Sequence, residues 1–411
     1  YAARFGFDEL KPFHGGRQGK AGVRSLDWES RLRMLLDGRP DAKVRIGDLL
    51  PDLEDWPCVL PWTRLELHEG GSFGPCCSDY MAVRSGPFDP ADPAASWHSD
   101  LMRDFRKAMV SGDASPTCRS TCPVLAGGGF KAADIIFRGG PKEAVENAVR
   151  LSRGLLEGRV DADWAPLDLA FSVTSFCNYD CLMCDCGQRG TLDDELTQGF
   201  YAGLEKWLNL GVEFEVNGGE PLASPVFRAF VRDLALSGRP PSLNLVTNGS
   251  YLTPKFLSGL PVIPFRGLVV SLNAADAGTY RDVNRGLSWS RIRRNLDALL
   301  DARLAGRFVG GLSWSMVIIR RNLDEIRAFA RMAMSDEVDV RYLLPIGNRN
   351  EQSIMGVRDT MREAADALFD VALELESGGW ARGAGQARSL ARFLEDRLAG
   401  EALEVHGRTG R

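Results

Sequence analysis

The chain has 411 residues, 44% of them hydrophobic and 26% charged, which suits one large globular domain with one or two smaller pieces. The formal net charge is −5, and no Lys or Arg run marks a nucleic-acid surface. No apolar stretch reaches the roughly 18 residues of a membrane span, and residues 1–25 mix charges with glycines and lack a secretion signal. A cytoplasmic protein without a membrane anchor is therefore expected.

Residues 1–56 read as a lead-in with one amphipathic stretch, Asp27–Asp37. Residues 57–125 are rich in Pro, Gly, Asp and Cys and have little periodicity, so they need a staple such as a bound metal centre to hold a fold. Within them, Trp97–Met109 reads as a short helix. Residues 126–164 form a connector, helical over 140–157.

From residue 165 the pattern becomes regular. Strands are expected at Leu167–Thr174, Val212–Val216, Leu243–Thr247, Gly267–Leu272, Leu312–Ile319 and Val338–Leu344. Helices are expected near Asp194–Leu208, after Pro221, at Trp289–Leu304 and at Leu323–Met334. This alternation predicts an α/β fold with a parallel sheet. Six units without a seventh or eighth predict an open, partial (β/α)6 barrel over 165–355, followed by a helical region over 356–411. Ligands collect at the C-terminal ends of such strands.

The nine cysteines stand at 58, 76, 77, 118, 122, 177, 181, 184 and 186. An odd number in tight clusters, without a secretion signal, favours metal ligation over disulfides. Cys177, Cys181 and Cys184 have the spacing C-x3-C-x2-C in the loop after the first barrel strand. Three thiolates on one compact loop suit one face of a [4Fe–4S] cubane and leave its fourth iron open. A zinc site, with Cys186 or a distant His as fourth ligand, is the alternative.

This loop, in this place, resembles the hallmark of the radical S-adenosylmethionine (SAM) superfamily. The resemblance implies that Cys177, Cys181 and Cys184 hold a [4Fe–4S] cluster whose open iron chelates SAM. Gly218-Gly219-Glu220-Pro221 closes the second strand. Its glycines admit a close ligand, and its carboxylate can accept from an ammonium. It resembles the family's motif for the SAM amine. Thr247, Asn248, Ser271, Asn273 and Arg285 stand at positions that contact the ribose and carboxylate of SAM in similar enzymes. Asn273 departs from the Asp common there.

Upstream, Cys58-Val-Leu-Pro61-Trp62, Gly70-Gly71, Pro75-Cys76-Cys77 and Cys118-x3-Cys122 suggest a hairpin that presents Cys76. Four thiolates in two pairs also suit structural zinc. Beside such a barrel the arrangement resembles a SPASM/twitch auxiliary domain, though placed before the barrel. That implies a second [4Fe–4S] cluster on Cys58, Cys76, Cys118 and Cys122, with Cys77 able to replace Cys76. Cys186 remains, as a buried thiol or a hydrogen-atom donor, and it is the one candidate catalytic side chain.

The family resemblance implies reductive cleavage of SAM and hydrogen abstraction from a substrate C–H bond, with an electron donor such as flavodoxin or ferredoxin. An auxiliary cluster favours oxidation of the substrate. The expected substrate is a small carbohydrate- or aminocyclitol-like metabolite, with a peptide as the alternative. A non-catalytic zinc or cluster protein is the reading from another class. Nothing in the sequence decides the oligomeric state.

Overall fold

The computed structural model describes residues 28–408 except 52, 54, 55, 69, 70, 121, 127, 128, 185–191, 193–195 and 346–350. The described residues fall into two compact units.

The first unit takes residues up to 175 and 192–244. Its strands are β1 (Lys43–Arg45), β2 (Arg64–Leu67), β3 (Phe73–Gly74), β4 (Ile136–Arg138), β5 (Asp168–Ser172) and β6 (Glu213–Asn217). β1 and β4 form an antiparallel pair. The others run in the order β6-β5-β2-β3, parallel except for the β2–β3 hairpin. The Cys-rich segment 57–125, expected as a domain of its own, thus shares a sheet with the first barrel strand. Its strand β2 pairs with β5 in the register Arg64↔Asp168.

Alternation gives this sheet two different faces. Leu65, Leu67, Leu169, Phe171, Phe214 and Val216 are buried, and Phe171 meets Phe200 and Phe214 at ring-centroid distances of 5.2 and 6.2 Å. The intervening positions carry Arg64, Glu66, Asp168, Glu213 and Glu215. Arg64 is fully buried and pairs with Glu215 at 2.8 Å and Glu66 at 3.1 Å. Burial, then the charges of Glu215 and Glu213, push the Asp168 carboxyl up to about 8.

The second unit takes residues 176–184 and the chain from 245 onward, beginning within β7 (Leu243–Thr247). β8 (Phe265–Ser271), β9 (Gly311–Val317) and β10 (Asp339–Leu343) follow, in the order β10-β9-β8-β7, with β8–β9 and β9–β10 parallel. Helix Trp289–Leu304 lies in the chain between β8 and β9, and Ile326–Ser335 between β9 and β10. Two long helices, Arg358–Ser377 and Ala381–Arg408, end the described chain. Gln386 pins the second of them to β10, accepting from Tyr342 N at 3.0 Å and donating to Tyr342 O at 2.5 Å.

All six expected barrel strands are present within one or two residues of their expected ends. Two helices differ. Trp97–Met109 is two helices, Pro93–Trp97 and Asp100–Val110, because Ser99 breaks the run and caps the second, its Oγ accepting from Met102 N. The helix expected near Asp194 starts at Gln198 and turns at Leu204 into Glu205–Asn209; Asp193, Asp194 and Glu195 lie outside the described residues. Among the described residues no helix is long and apolar enough to cross a membrane.

Candidate iron–sulfur and SAM site

The loop after β5 is shaped by the C-terminal end of the helix Ala277–Asn284. Leu182 N donates to Val283 O at 2.8 Å and Asp180 N to Arg285 O at 3.4 Å. The Tyr179 and Tyr280 hydroxyls meet at 2.9 Å. Gly286 lies flat on the Tyr179 ring, where a Cβ would come within 2.2 Å, so only glycine admits this approach. The loop's backbone is thereby fixed from beneath while its cysteines stay partly open, Cys184 being exposed.

Burial, then the charges of Cys177 and Cys184, push the Cys181 thiol up to about 12. A buried thiol whose ionisation its neighbours oppose needs a cationic centre to become a thiolate. Among the described residues no three His, Cys, Asp or Glu side chains are gathered tightly enough for a single metal ion. Three thiolates on one compact loop would each take a separate iron of a [4Fe–4S] cubane.

The expected SAM-contacting residues divide by environment. Gly218 (φ +80°) and Gly219 (φ +48°) turn the chain at the end of β6, and a Cβ on Gly218 would lie 2.5 Å from the Ser172 side chain. Glu220 is fully buried there, one oxygen accepting from Leu222 N at 3.0 Å. In the second unit, Thr247 Oγ1 accepts from Gly249 N at 3.1 Å, and Ser271 Oγ lies 3.3 Å from Ser315 Oγ. Asn248 reaches the cysteine loop, donating to Asn178 Oδ1 at 3.0 Å and to Cys177 Sγ at 3.7 Å.

Asn273, at φ +59°, is buried and engaged at both ends of its amide. It donates to Asn284 Oδ1 and accepts from Val317 N, each at 2.9 Å. Arg285 caps its helix in the left-handed region at φ +47° and lies 3.9 Å from Asp180 at the surface. Cys186 lies outside the described residues. Asn178, Tyr179, Ser250, Tyr280 and Asn284 were not expected in the site. An N–G–S turn after a strand and an Asn directly after the first cysteine were the available signals.

The upstream cysteines form a second group within the first unit. Burial, then the charges of Cys118 and Cys122, push Cys58 up to about 12. Cys76 is pushed well up by burial, then by Cys58, Cys118, Glu66 and Cys122. Four thiols from 65 residues of chain thus share one neighbourhood. The β2–β3 hairpin presents Cys76, held by His68, whose Nε2 lies 2.8 Å from Cys76 O and whose Nδ1 lies 3.0 Å from Ser72 Oγ. Met81 bridges to Cys118 as an isolated antiparallel pair. The turn after Cys58 is anchored by fully buried Arg106, which donates to Pro61 O at 2.9 Å and Val160 O at 3.0 Å and stacks 4.5 Å from the Trp97 ring. Burial, then the charges of Cys77, Asp79, Cys122 and Cys76, push the Tyr80 hydroxyl up.

The family model of the radical SAM superfamily matches residues 171–333. This segment, with the cysteine loop at its start, is a radical SAM domain. GTP 3',8-cyclase of Marinobacter nauticus is 28% identical over 204 residues, covering 48% of this chain and 60% of that protein. GTP 3',8-cyclase of Alkaliphilus oremlandii is 25% identical over 200 residues, covering 44% of this chain and 58% of that protein. The chain therefore spans less than two thirds of the length of these curated relatives. Among solved structures, native anSMEcpe with bound AdoMet overlaps 52% of this chain and 62% of its own, at 15% identity and a TM-score of 0.40. Streptococcus suis SuiB bound to S-adenosylmethionine overlaps 58% and 51%, at 14% identity and a TM-score of 0.41.

Proposed function

We propose that this protein is a radical SAM enzyme with two iron–sulfur clusters that oxidises a small polar metabolite, of which a carbohydrate or aminocyclitol is the expected kind. The observation that carries the reading is the three-cysteine loop built on residues 277–286 inside the matched family segment. Cys177, Cys181 and Cys184 would hold the barrel cluster, and Cys58, Cys76, Cys118 and Cys122 the auxiliary one. When bound with SAM, such a cluster would supply the one-electron reductive chemistry that opens an unactivated substrate C–H bond to attack.

The chain's own residues bind, orient and shield. Glu220, buried at the end of β6 beside two left-handed glycines, offers a carboxylate to the SAM ammonium. Thr247, Ser271 and Arg285 are the proposed polar contacts to the rest of SAM. Asn273, whose amide is already used at both ends, would serve by tying the turn after β8 to Asn284 and to Val317. Four thiols satisfy all four irons of an auxiliary cubane, which suits electron transfer out of the substrate. The electron donor would be a flavodoxin or ferredoxin.

GTP 3',8-cyclases carry the name of a small-molecule substrate, which supports a small metabolite over a peptide here. Their name also supports a second reading, a radical cyclisation of a nucleotide. Anaerobic incubation with SAM and dithionite tests the core of the proposal. The reconstituted protein should release 5′-deoxyadenosine and methionine, and a Cys177→Ala/Cys181→Ala/Cys184→Ala variant should release neither. Wild-type protein that carries its iron and leaves SAM intact would defeat the reading.

A further inference from the structure

We propose that Asn248 is a positioning residue that tunes the barrel cluster, by holding a side-chain N–H toward the sulfur of Cys177. The inference rests on the reading of Cys177 as a cluster ligand. Asn248 follows β7 in a turn braced from several sides. Gly249, at φ +77°, lets the turn settle where a Cβ would come within 2.9 Å of Val270. Buried Asn295, from the helix Trp289–Leu304, donates to Gly249 O at 3.0 Å and Ser250 O at 3.2 Å.

The orientation of the Asn248 amide follows from its partners. Its Oδ1 accepts from Ser250 N at 2.9 Å, and its Nδ2 donates to Asn178 Oδ1 at 3.0 Å. Flipping the amide would set oxygen against oxygen and nitrogen against N–H, so the nitrogen is the end that faces the loop. From there it also reaches Cys177 Sγ at 3.7 Å. Asn178 is tied back by its own Nδ2, which donates to Ser250 Oγ at 3.0 Å.

Cys177 is thereby set apart from Cys181. Its sulfur faces two donors, Asn248 Nδ2 and Tyr179 N, the latter at 3.5 Å. The Cys181 sulfur instead lies 3.5 Å from Asn284 O and 3.7 Å from Asn284 Oδ1, which are acceptors. An N–H aimed at a thiolate stabilises added negative charge, so it favours the reduced cluster over the oxidised one. Removing it makes the cluster harder to reduce.

The test is a redox titration of the holoprotein followed by electron paramagnetic resonance. The reduced-cluster signal that changes on adding SAM identifies the barrel cluster. Asn248→Asp keeps the side chain's shape and turns the donor into an acceptor; Asn248→Leu removes hydrogen bonding altogether. Each should keep its iron, and at the potential where the wild type is half reduced the reduced-to-oxidised ratio should fall about three- to tenfold. A tenfold fall corresponds to a shift of about 59 mV to more negative potential.

Two results would overturn the proposal. One is a variant that loads its cluster and titrates with the wild type. The other is loss of the barrel cluster from both variants while circular dichroism shows them folded, which would make Asn248 a builder of the loop only. A wild-type protein with no SAM-responsive signal would instead defeat the functional reading on which the inference rests.

Discussion

Cys76 and Cys77 are chain neighbours, and Cys76 shares its surroundings with Cys58, Cys118 and Cys122. The sequence reading takes Cys76 as the ligand with Cys77 able to replace it, and the β2–β3 hairpin with its His68 contact supports Cys76. Cys76→Ser should therefore remove about half of the iron from the reconstituted protein and Cys77→Ser almost none, as read by iron and sulfide analysis. Equal losses, or a larger loss for Cys77→Ser, would reverse the assignment. The motif residues Gly218, Gly219, Glu220 and Asn248 were legible because their chemistry is written in local order after a strand. Tyr179, Tyr280 and Asn284 were not. Their role comes from packing between positions about a hundred residues apart, and a Tyr or Asn inside a helix signals only core or surface until its partner is known.

The helix Ala277–Asn284 supports the cysteine loop with its C-terminal end, and its N-terminal end is fixed by a carboxyl pair. Asp276 caps it, accepting from Gly278 N at 2.6 Å and Thr279 N at 3.2 Å, while Glu325 accepts from Ala275 N at 2.6 Å. The hydrogen bond from Glu325, together with these amides, lowers Asp276 from 3.8 to about 2. Burial, then the bond to Asp276, raises Glu325 from 4.5 to about 7. The fold thus keeps a proton on Glu325 that the unfolded chain releases. That contribution is complete below pH 4.5 and is lost as the pH rises to about 7. The Asp276 contribution runs the other way, complete above pH 3.8 and lost as the pH falls to about 2. Glu325→Gln should flatten the fall in melting temperature between pH 4.5 and 7, seen by thermal unfolding at a series of pH values. An unchanged slope would show that the pair does not share a proton. Helix ends were the least legible elements here, because a single cap such as Ser99 splits a run that periodicity reads as continuous.

At the scale of the whole chain, the six barrel strands were legible from alternating apolar residues and from the motifs that close them. β2 was not. It has four residues, Arg64-Leu65-Glu66-Leu67, and its charged positions pair with β6 residues some 150 places along the chain, Arg64 reaching Glu215. A buried ion pair of that kind looks like a surface pattern until both halves are in place. Its parallel pairing with β5 joins the Cys-rich segment to the barrel's first strand within one unit. One chain is therefore expected to hold two clusters of different character, one with an open iron and one fully ligated by thiolates. The direct test is metal analysis of the anaerobically reconstituted protein, compared with a Cys58→Ala/Cys76→Ala/Cys118→Ala/Cys122→Ala variant. About eight irons per chain falling to about four, with the SAM-responsive signal kept, is the predicted result. About four irons in both proteins, or stoichiometric zinc in the wild type that the variant lacks, would contradict it.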